Sequence, residues 1–446
     1  MSDRELSVRV NDVHMGTLRE SNDLWAFEYS ETWAASPKSF DLSPALNRAQ
    51  ALHADGASLR PVQWYFDNLL PEEAMRIVLA KEARVPGEDA FGLLSYFGAE
   101  SAGSLVLVDL KHPRSTERGL KPLPLSDLSE RIANLPRASL TQGAPKKMSL
   151  AGAQHKLLVV LKNQELFEPL PGTPSTHILK PNHLGPDYTA SAINEYFCMR
   201  LGHALGLPVP VVTRMYVPQP VYIVERFDRV HRAGDDSAQR RHAIDTCQLL
   251  NKARTFKSIG AQVRTLLEAA EQCREKAAAR LQLFKWLLFN LLIGNGDNHL
   301  KNISFIVDAA GIHIAPAYDM LSTCAYDTKA IAQERAHWPQ SPLEVPLGAA
   351  GMFAEVRRAH VMEAARELKV SAATAKRILD RMLKDILSEA DRLIAEIRRE
   401  NEAILSGGSG RRNYVGDAIA TSMAGEVRLL DVSRHIVIAE MVRQLE

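Results

Sequence analysis

Cysteine is scarce in this chain: four among 446 residues, Cys198, Cys247, Cys273 and Cys324, with no C-x-x-C pair. That spacing argues against a zinc site and a disulfide framework, and fits a reducing compartment. Net charge is nearly absent as well, since 54 Lys and Arg face 53 Asp and Glu, a balance of +1. Bulk attraction to nucleic acid is thereby removed, and only local patches remain. Long apolar runs are missing. The longest, Leu281 to Ile293, is broken by Gln282, Lys285 and Asn290; it is too short and too polar to span a bilayer and reads as a buried helix. The opening Met1-Ser-Asp-Arg-Glu-Leu6 is charged, so no signal peptide is expected. No G-x-x-x-x-G-K-[ST] loop and no internal repeat occur. The expectation is a soluble cytoplasmic protein with no membrane contact.

What is present is an ordinary globular composition, 46% hydrophobic and 24% charged. The length calls for two or three packed lobes. Residues 6–29 alternate as strands do, with Asn11-Asp12 as a hairpin turn. Pro61 to Leu79 reads as helical, with Pro71-Glu-Glu opening a second helix, and Leu105-Val-Leu-Val as a short strand. Residues 112–146, rich in Pro, Ser and basic residues, read as a connector with one short helix. From Ser149 to Asp228 the pattern is α/β: strands at Leu157-Leu-Val-Val-Leu, Thr176-His-Ile-Leu-Lys and Val221-Tyr-Ile-Val-Glu, and a helix from Ala190 to Leu205. Residues 230–243 read as a surface loop. Helix-period faces then dominate at Arg264–Ala278, Arg280–Ile293, Phe353–Leu368 and Ala372–Glu400, the last with Ser371 as N-cap. A flexible break at Gly407-Gly-Ser-Gly precedes a terminal helix from about Val432. The expected division is 1–111, 112–228 and 229–446, a strand-rich part before a helix-rich one. A cleft between two such lobes is a common place for a nucleotide.

The strongest chemical signal is Gly294-Asn-Gly-Asp-Asn-His-Leu-Lys-Asn302. A buried helix ends at two glycines and delivers Asp297 and, five positions on, Asn302, the Asp-x-x-x-x-Asn spacing of protein-kinase catalytic loops. There the Asp accepts the substrate hydroxyl proton and the Asn binds Mg²⁺; alternatively the segment is a helix-capping loop. Ile312-His-Ile-Ala-Pro-Ala-Tyr-Asp319 leads from a strand to a second acid, where kinases place a Mg²⁺-binding Asp, or a plain turn residue. Lys180 ends a strand where an ammonium suits phosphates, and Glu195 on the following helix is its candidate partner; the plainer reading is a solvated strand end and a surface Glu. Ser149-Leu-Ala-Gly-Ala-Gln-His-Lys156 is a small-residue turn able to bring backbone N–H groups to phosphate, or simply a turn. Val224-Glu-Arg-Phe-Asp228 joins the lobes, where backbone groups and Phe227 suit an adenine edge, or where Arg and Asp form a surface pair.

In this order, Ser-Leu-Ala-Gly-Ala-Gln, Thr-His-Ile-Leu-Lys, Asn-Glu-Tyr-Phe, Val-Glu-Arg-Phe-Asp-Arg, Gly-Asn-Gly-Asp-Asn-His-Leu-Lys-Asn and Pro-Ala-Tyr-Asp closely resemble the HipA family of bacterial serine/threonine kinase toxins. The N-terminal part is similar too, at Gly16-Thr-Leu and Phe66-Asp-Asn-Leu-Leu-Pro71. The resemblance implies an α+β, two-lobed, protein-kinase-like fold with a strand-rich N-terminal lobe, an extra N-terminal subdomain and an all-helical C-terminal lobe. It implies ATP and Mg²⁺ as cofactors and Asp297 as proton acceptor. The phosphate loop would be Ala151, Gly152, Ala153, Gln154, His155 and Lys156, with Lys180 on the phosphates. Glu225, Arg226 and Phe227 would hold the adenine. His299, Leu300, Lys301, Asn302, Tyr318 and Asp319 would complete the nucleotide site, Asn302 and Asp319 as metal ligands. Ser149 matches the family's autophosphorylated serine, whose added charge would expel the loop and disable ATP binding; Lys146-Lys147-Met148 stands where family members often carry an Arg. The implied partners are a HipB-type helix-turn-helix antitoxin, operator DNA through it, and a protein substrate such as glutamyl-tRNA synthetase, whose phosphorylation arrests translation and growth and induces persistence.

Two rival readings stay open at this level: a lipid or small-molecule kinase, against which stands the lack of a basic amphipathic helix, and a catalytically silent corepressor of an antitoxin–operator complex.

Overall fold

The computed structural model describes residues 3–112, 115–148, 152, 154–231, 238–331, 334–338, 340–407 and 414–446. The chain opens with a five-stranded antiparallel sheet in the order β4-β3-β2-β1-β5. Its strands are β1 (Arg4–Val10), β2 (Val13–Ser21), β3 (Leu24–Tyr29), β4 (Leu52–Ala54) and β5 (Leu105–Val108). Asn11 and Asp12 turn the first hairpin with φ of 45° and 70°, the left-handed pair that a two-residue hairpin turn requires. Helices Pro61–Asp67, Glu73–Ala83 and Ala90–Phe97 cover this sheet. The four cysteines are buried and free.

A second, six-stranded antiparallel sheet follows, ordered β10-β11-β9-β7-β8-β6. It consists of β6 (Leu120–Pro122), β7 (Leu157–Lys162), β8 (Glu165–Pro169), β9 (His177–Pro181), β10 (Val212–Tyr216) and β11 (Pro220–Glu225). The segment read as a connector thus supplies an edge strand as well as its short helix, Leu125–Ala133. Alternation along β11 divides the sheet's faces. Val221 and Ile223 enter a local core with Leu123, Leu128, Leu157 and Leu179. Tyr222 and Val224 join the large core that runs through the helical lobe and the first sheet. That large core is continuous from Leu6 to Leu445, so the first sheet is bonded to the helical lobe by shared apolar burial rather than carried as an appendage.

Beyond β11 the polar segment forms less loop than its composition suggests. Its flanks pair as β12 (Arg229–His231) with β13 (Ala238–Arg240), and β14 (His242–Asp245) joins β15 (Ser304–Asp308) and β16 (Gly311–Ile314) in a three-stranded sheet. The C-terminal lobe is therefore not all helix as expected, and a further strand pair, Pro342–Leu347 with Ala350–Met352, lies within it; its helices include Val263–Gln272, Lys276–Leu292, Arg358–Glu367, Ala372–Gly407 and Tyr414–Val432. Thr374 N–H donates to Ser371 Oγ at 3.3 Å, the N-cap contact expected there. The terminal helix begins far earlier than Val432. Small residues along 416–425 (Gly, Ala, Thr, Ser) blur its apolar period, and the helix continues through a π-helical stretch, Ser433–Ile438, into Ala439–Leu445. Among the described residues no helix is long and apolar enough to cross a membrane.

Candidate active site

The helix Lys276–Leu292 is exposed at its first turn but buried over nearly all of its second half, from Leu283 to Leu292, which makes that end a rigid base for the loop it releases. Its one fully buried amide, Asn290, anchors that loop. Asn290 Nδ2 donates to Trp286 O at 2.9 Å, and Asn295 Nδ2 donates to Asn290 Oδ1 at 2.7 Å. Gly294 turns the chain at φ +65°. The Asp297 N–H then donates to Asn295 Oδ1 at 3.1 Å, the Gly296 N–H to Thr323 Oγ1 at 2.7 Å, and Asn302 Nδ2 to Asp297 O at 2.8 Å. The last contact engages the Asn302 amide nitrogen, so Oδ1 is the side-chain atom with which it could ligate a cation. Asp297 itself is exposed. Desolvation by its surroundings nevertheless raises its carboxyl above the ordinary value, with His299 opposing and Asp319 adding repulsion.

Lys180 lies opposite Tyr222 in the β9–β11 register, hence on the face covered by the helix Ser191–Ala204. Pleat alternation therefore aims it at Glu195. Its Nζ reaches the two Glu195 carboxylate oxygens at 2.7 and 2.9 Å, and also donates to Asp319 Oδ1. Burial alone would lower the Lys180 ammonium, but two carboxylates outweigh it and raise it. Asp319 is likewise held well below the usual carboxylate range by Lys180 and Lys156 in spite of its burial. Glu195 competes for the same ammonium; burial and Asp319 push it up to about 7. Asp319 adopts φ 58°, a left-handed conformation rare outside glycine that often marks functional loops.

The remaining expected residues divide into three groups. Ser149, Ala151 and Ala153 lie outside the described residues. Of the rest of that turn, Gln154 Nε2 donates to Pro181 O at 3.1 Å, tying it to the end of β9. Gly152 has φ +111°, and a Cβ there would stand 2.6 Å from Lys156 Nζ. Burial and Lys180 lower the Lys156 ammonium, while Asp319 and Glu195 support it, so Lys156 stands in the field of the same cluster. Phe227 and Tyr318 bring their rings to 5.5 Å at 31°, and the Tyr318 hydroxyl donates to Lys301 O at 2.8 Å, tying the Asp319 segment to the loop 294–302. The buried ring atoms His299 Nδ1 and His155 Nδ1 lack a partner among the described residues.

Three side chains are spent elsewhere. Leu300 is core. Lys301 is buried against Asn68 and Asp245. Arg226 is locked onto Asp228, Ser175 and Ser101 O. The Glu225 and Arg226 N–H groups already donate to Val211 O and Thr176 O, both at 2.9 Å. Any part that Arg226 or Lys301 takes in holding a ligand therefore falls to other main-chain atoms. Sequence reasoning passed over Asn194. Its Nδ2 donates to Ser322 O at 3.0 Å and its Oδ1 accepts from Ser322 N–H at 2.8 Å, pinning the segment that follows Asp319. Its place beside Glu195 in Asn-Glu-Tyr-Phe was the available signal.

Among the described residues no three His, Cys, Asp or Glu side chains group to hold a metal by themselves. A Mg²⁺ ion on phosphates needs only one or two protein oxygens, which the Asp319 carboxylate and the Asn302 carboxamide can supply. With the buried Lys180 ammonium, the half-buried Lys156 and a His299 nitrogen that has no partner among the described residues, this set suits a metal-bound polyphosphate.

Family models match both parts of the chain: the HipA N-terminal domain over residues 6–108 and the HipA-like C-terminal domain over residues 148–390. The putative kinase Y4mE of Sinorhizobium fredii is 36% identical over 312 residues, 67% of this chain and 72% of that protein. The serine/threonine-protein kinase toxin HipA of Shewanella oneidensis is 31% identical over 342 residues, covering 72% of this chain and 76% of that one. The solved complex of Shewanella oneidensis HipA with HipB and operator DNA matches in fold, with a TM-score of 0.71 at 24% identity over 98% of this chain and 99% of that one.

Proposed function

The chain belongs to the HipA family of serine/threonine kinase toxins, and from that premise we propose that it transfers the γ-phosphoryl group of ATP to a protein hydroxyl with Asp297 as the base. The observation that carries this reading is the buried Lys180 ammonium shared between Glu195 and Asp319, beside a loop whose Asp297 and Asn302 are hydrogen-bonded together. Asn302 and Asp319 would hold Mg²⁺, and Lys180 and Lys156 the phosphates. Bound Mg²⁺–ATP would supply the transferable phosphoryl group and neutralise its charge. Asp297 accepts the hydroxyl proton, and its raised carboxyl makes it the better acceptor. Glu195 orients Lys180, and the Phe227–Tyr318 pair gives the adenine an apolar wall. Positioning and fixed charge dominate such catalysis.

Asp297→Asn should lower transfer from labelled ATP to protein by about 10²–10⁴-fold, and a near wild-type rate in that variant would sink the assignment. The acceptor is read as an aminoacyl-tRNA synthetase, glutamyl-tRNA synthetase first, so that transfer arrests translation and growth in the cytoplasm. Ser149 is read as a self-modified serine. Intact-mass spectrometry after incubation with ATP and the purified synthetase checks both. A HipB-type antitoxin is the proposed neutralising partner, supported by the matching fold of a relative solved with HipB and operator DNA. Co-expression with a HipB-type helix-turn-helix protein should relieve growth arrest.

A further inference from the structure

The stretch Phe66-Asp-Asn-Leu-Leu-Pro71 belongs to the first domain by sequence, yet its polar side chains reach into the catalytic lobe. Asp67 accepts from Arg254 of that lobe at 3.0 Å. Asn68, 2% exposed, donates through Nδ2 to Trp64 O at 2.8 Å and to Lys252 O at 3.0 Å. Its two oxygens face a single group. Asn68 Oδ1 and Asn68 O accept from Lys301 Nζ at 2.8 and 3.0 Å, and Asp245 Oδ2 accepts from the same nitrogen at 2.5 Å. An ammonium has three N–H donors, so these three acceptors saturate it.

Lys301 lies between Asp297 and Asn302 in the catalytic loop. Its carbonyl takes the Tyr318 hydroxyl at 2.8 Å, one residue before Asp319. Whatever holds the Lys301 ammonium therefore sets the backbone shared by the base and both candidate metal ligands. We propose that Asn68 is a positioning residue for phosphoryl transfer: from the first domain it fixes Lys301, and through Lys301 the catalytic loop. The first domain is then part of the catalytic apparatus, and anything that lifts the Asn68 turn switches the kinase off. This inference rests on the kinase reading above.

Two substitutions separate the contact from general stability. Asn68→Ala and Asn68→Asp both lose the Nδ2 donations to Trp64 and Lys252 and both keep the main-chain oxygen, but only Asp keeps a side-chain oxygen facing Lys301. With the full-length chain, Asn68→Ala should lower kcat by about 10- to 100-fold with KM for ATP within about threefold, while Asn68→Asp stays near wild type. Hydrogen exchange at amides 295–303 should accelerate in the Ala variant alone. If Ala and Asp lose activity equally, or Ala retains the wild-type kcat, the proposal is overturned. Should Asn68→Ala not fold, Asn68→Leu, close in size and without a side-chain oxygen, takes its place in the comparison with Asp, and an equal kcat in Leu and Asp again overturns it. If the wild type transfers no phosphate at all, the kinase reading fails by itself, and unchanged loop exchange in the Ala variant would then reject the positioning claim as well.

Discussion

At the scale of single residues, burial decides which groups titrate. His242 is fully enclosed where the first domain meets the catalytic lobe. Its Nε2 lies 3.0 Å from Leu42 O and 3.2 Å from the Tyr65 hydroxyl, its Nδ1 lies 3.1 Å from Ser104 Oγ, and its ring stacks on Phe40. Burial lowers its pKa from 6.5 to about 4. A histidine depressed in the folded state is neutral there while the unfolded chain still takes up a proton. Its share of stability is thus present above pH 6.5 and is lost as the pH falls towards 4, a loss of roughly 3 kcal/mol. Urea unfolding of wild type and His242→Asn at pH 7 and pH 5 should show a steeper acid loss in the wild type; parallel losses would refute the assignment. Glu195 and Lys180 teach the same lesson within the site. Neither residue type is unusual on a strand end or a helix, and only the pleat of β9 against the covering helix turns them into a buried pair.

At the scale of elements, the release of the loop 294–302 from its helix depends on one backbone conformation. Gly294 holds φ +65°, and a Cβ there would meet Val437 Cγ1 at 2.5 Å and Cys324 Cβ at 2.9 Å. Gly294→Ala therefore combines left-handed strain with overpacking and should cost at least about 2 kcal/mol. A lowered urea midpoint would show this, and the displaced Asp297 should reduce phosphoryl transfer in parallel. Val437 belongs to the π-helical stretch Ser433–Ile438, so the last helix of the chain packs against the start of the loop that bears Asp297. Element existence was largely legible: the β1–β2 hairpin, β7, β9 and β11, and the helices Ser191–Ala204 and Lys276–Leu292 follow from local period and turn residues. The start of the last long helix and the edge strand β6 were not, because a small-residue helix and a three-residue exposed strand carry little periodic signal.

At the scale of the molecule, a buried charge cluster unites segments far apart in the chain. Glu100, fully buried after the helix Ala90–Phe97, takes Lys146 and Arg240 at 2.6 Å, Arg229 at 2.8 Å and Arg226 at 3.4 Å. Asp228 shares Arg226 and Arg229. The cluster welds the first domain to the segment beyond β11 and to Lys146, three residues ahead of Ser149. Glu100→Gln keeps the shape but leaves four cations under-compensated, so it should destabilise the fold by about 3–5 kcal/mol, measured by urea unfolding at pH 7; a loss under 1 kcal/mol would contradict this account. The sequence alone determined the kinase-like order of motifs and named Asp297, Asn302, Asp319 and Lys180, because spacing along a helix end, a strand or a loop is a local property. Which side chains remain free for chemistry was decided only by tertiary structure. Lys301 and Arg226 stand inside those motifs but are held by Asn68, Asp245, Glu100 and Asp228. Those partners lie between 2 and 233 residues away. A buried cation must find acceptors wherever the fold brings them, and linear spacing does not encode that meeting.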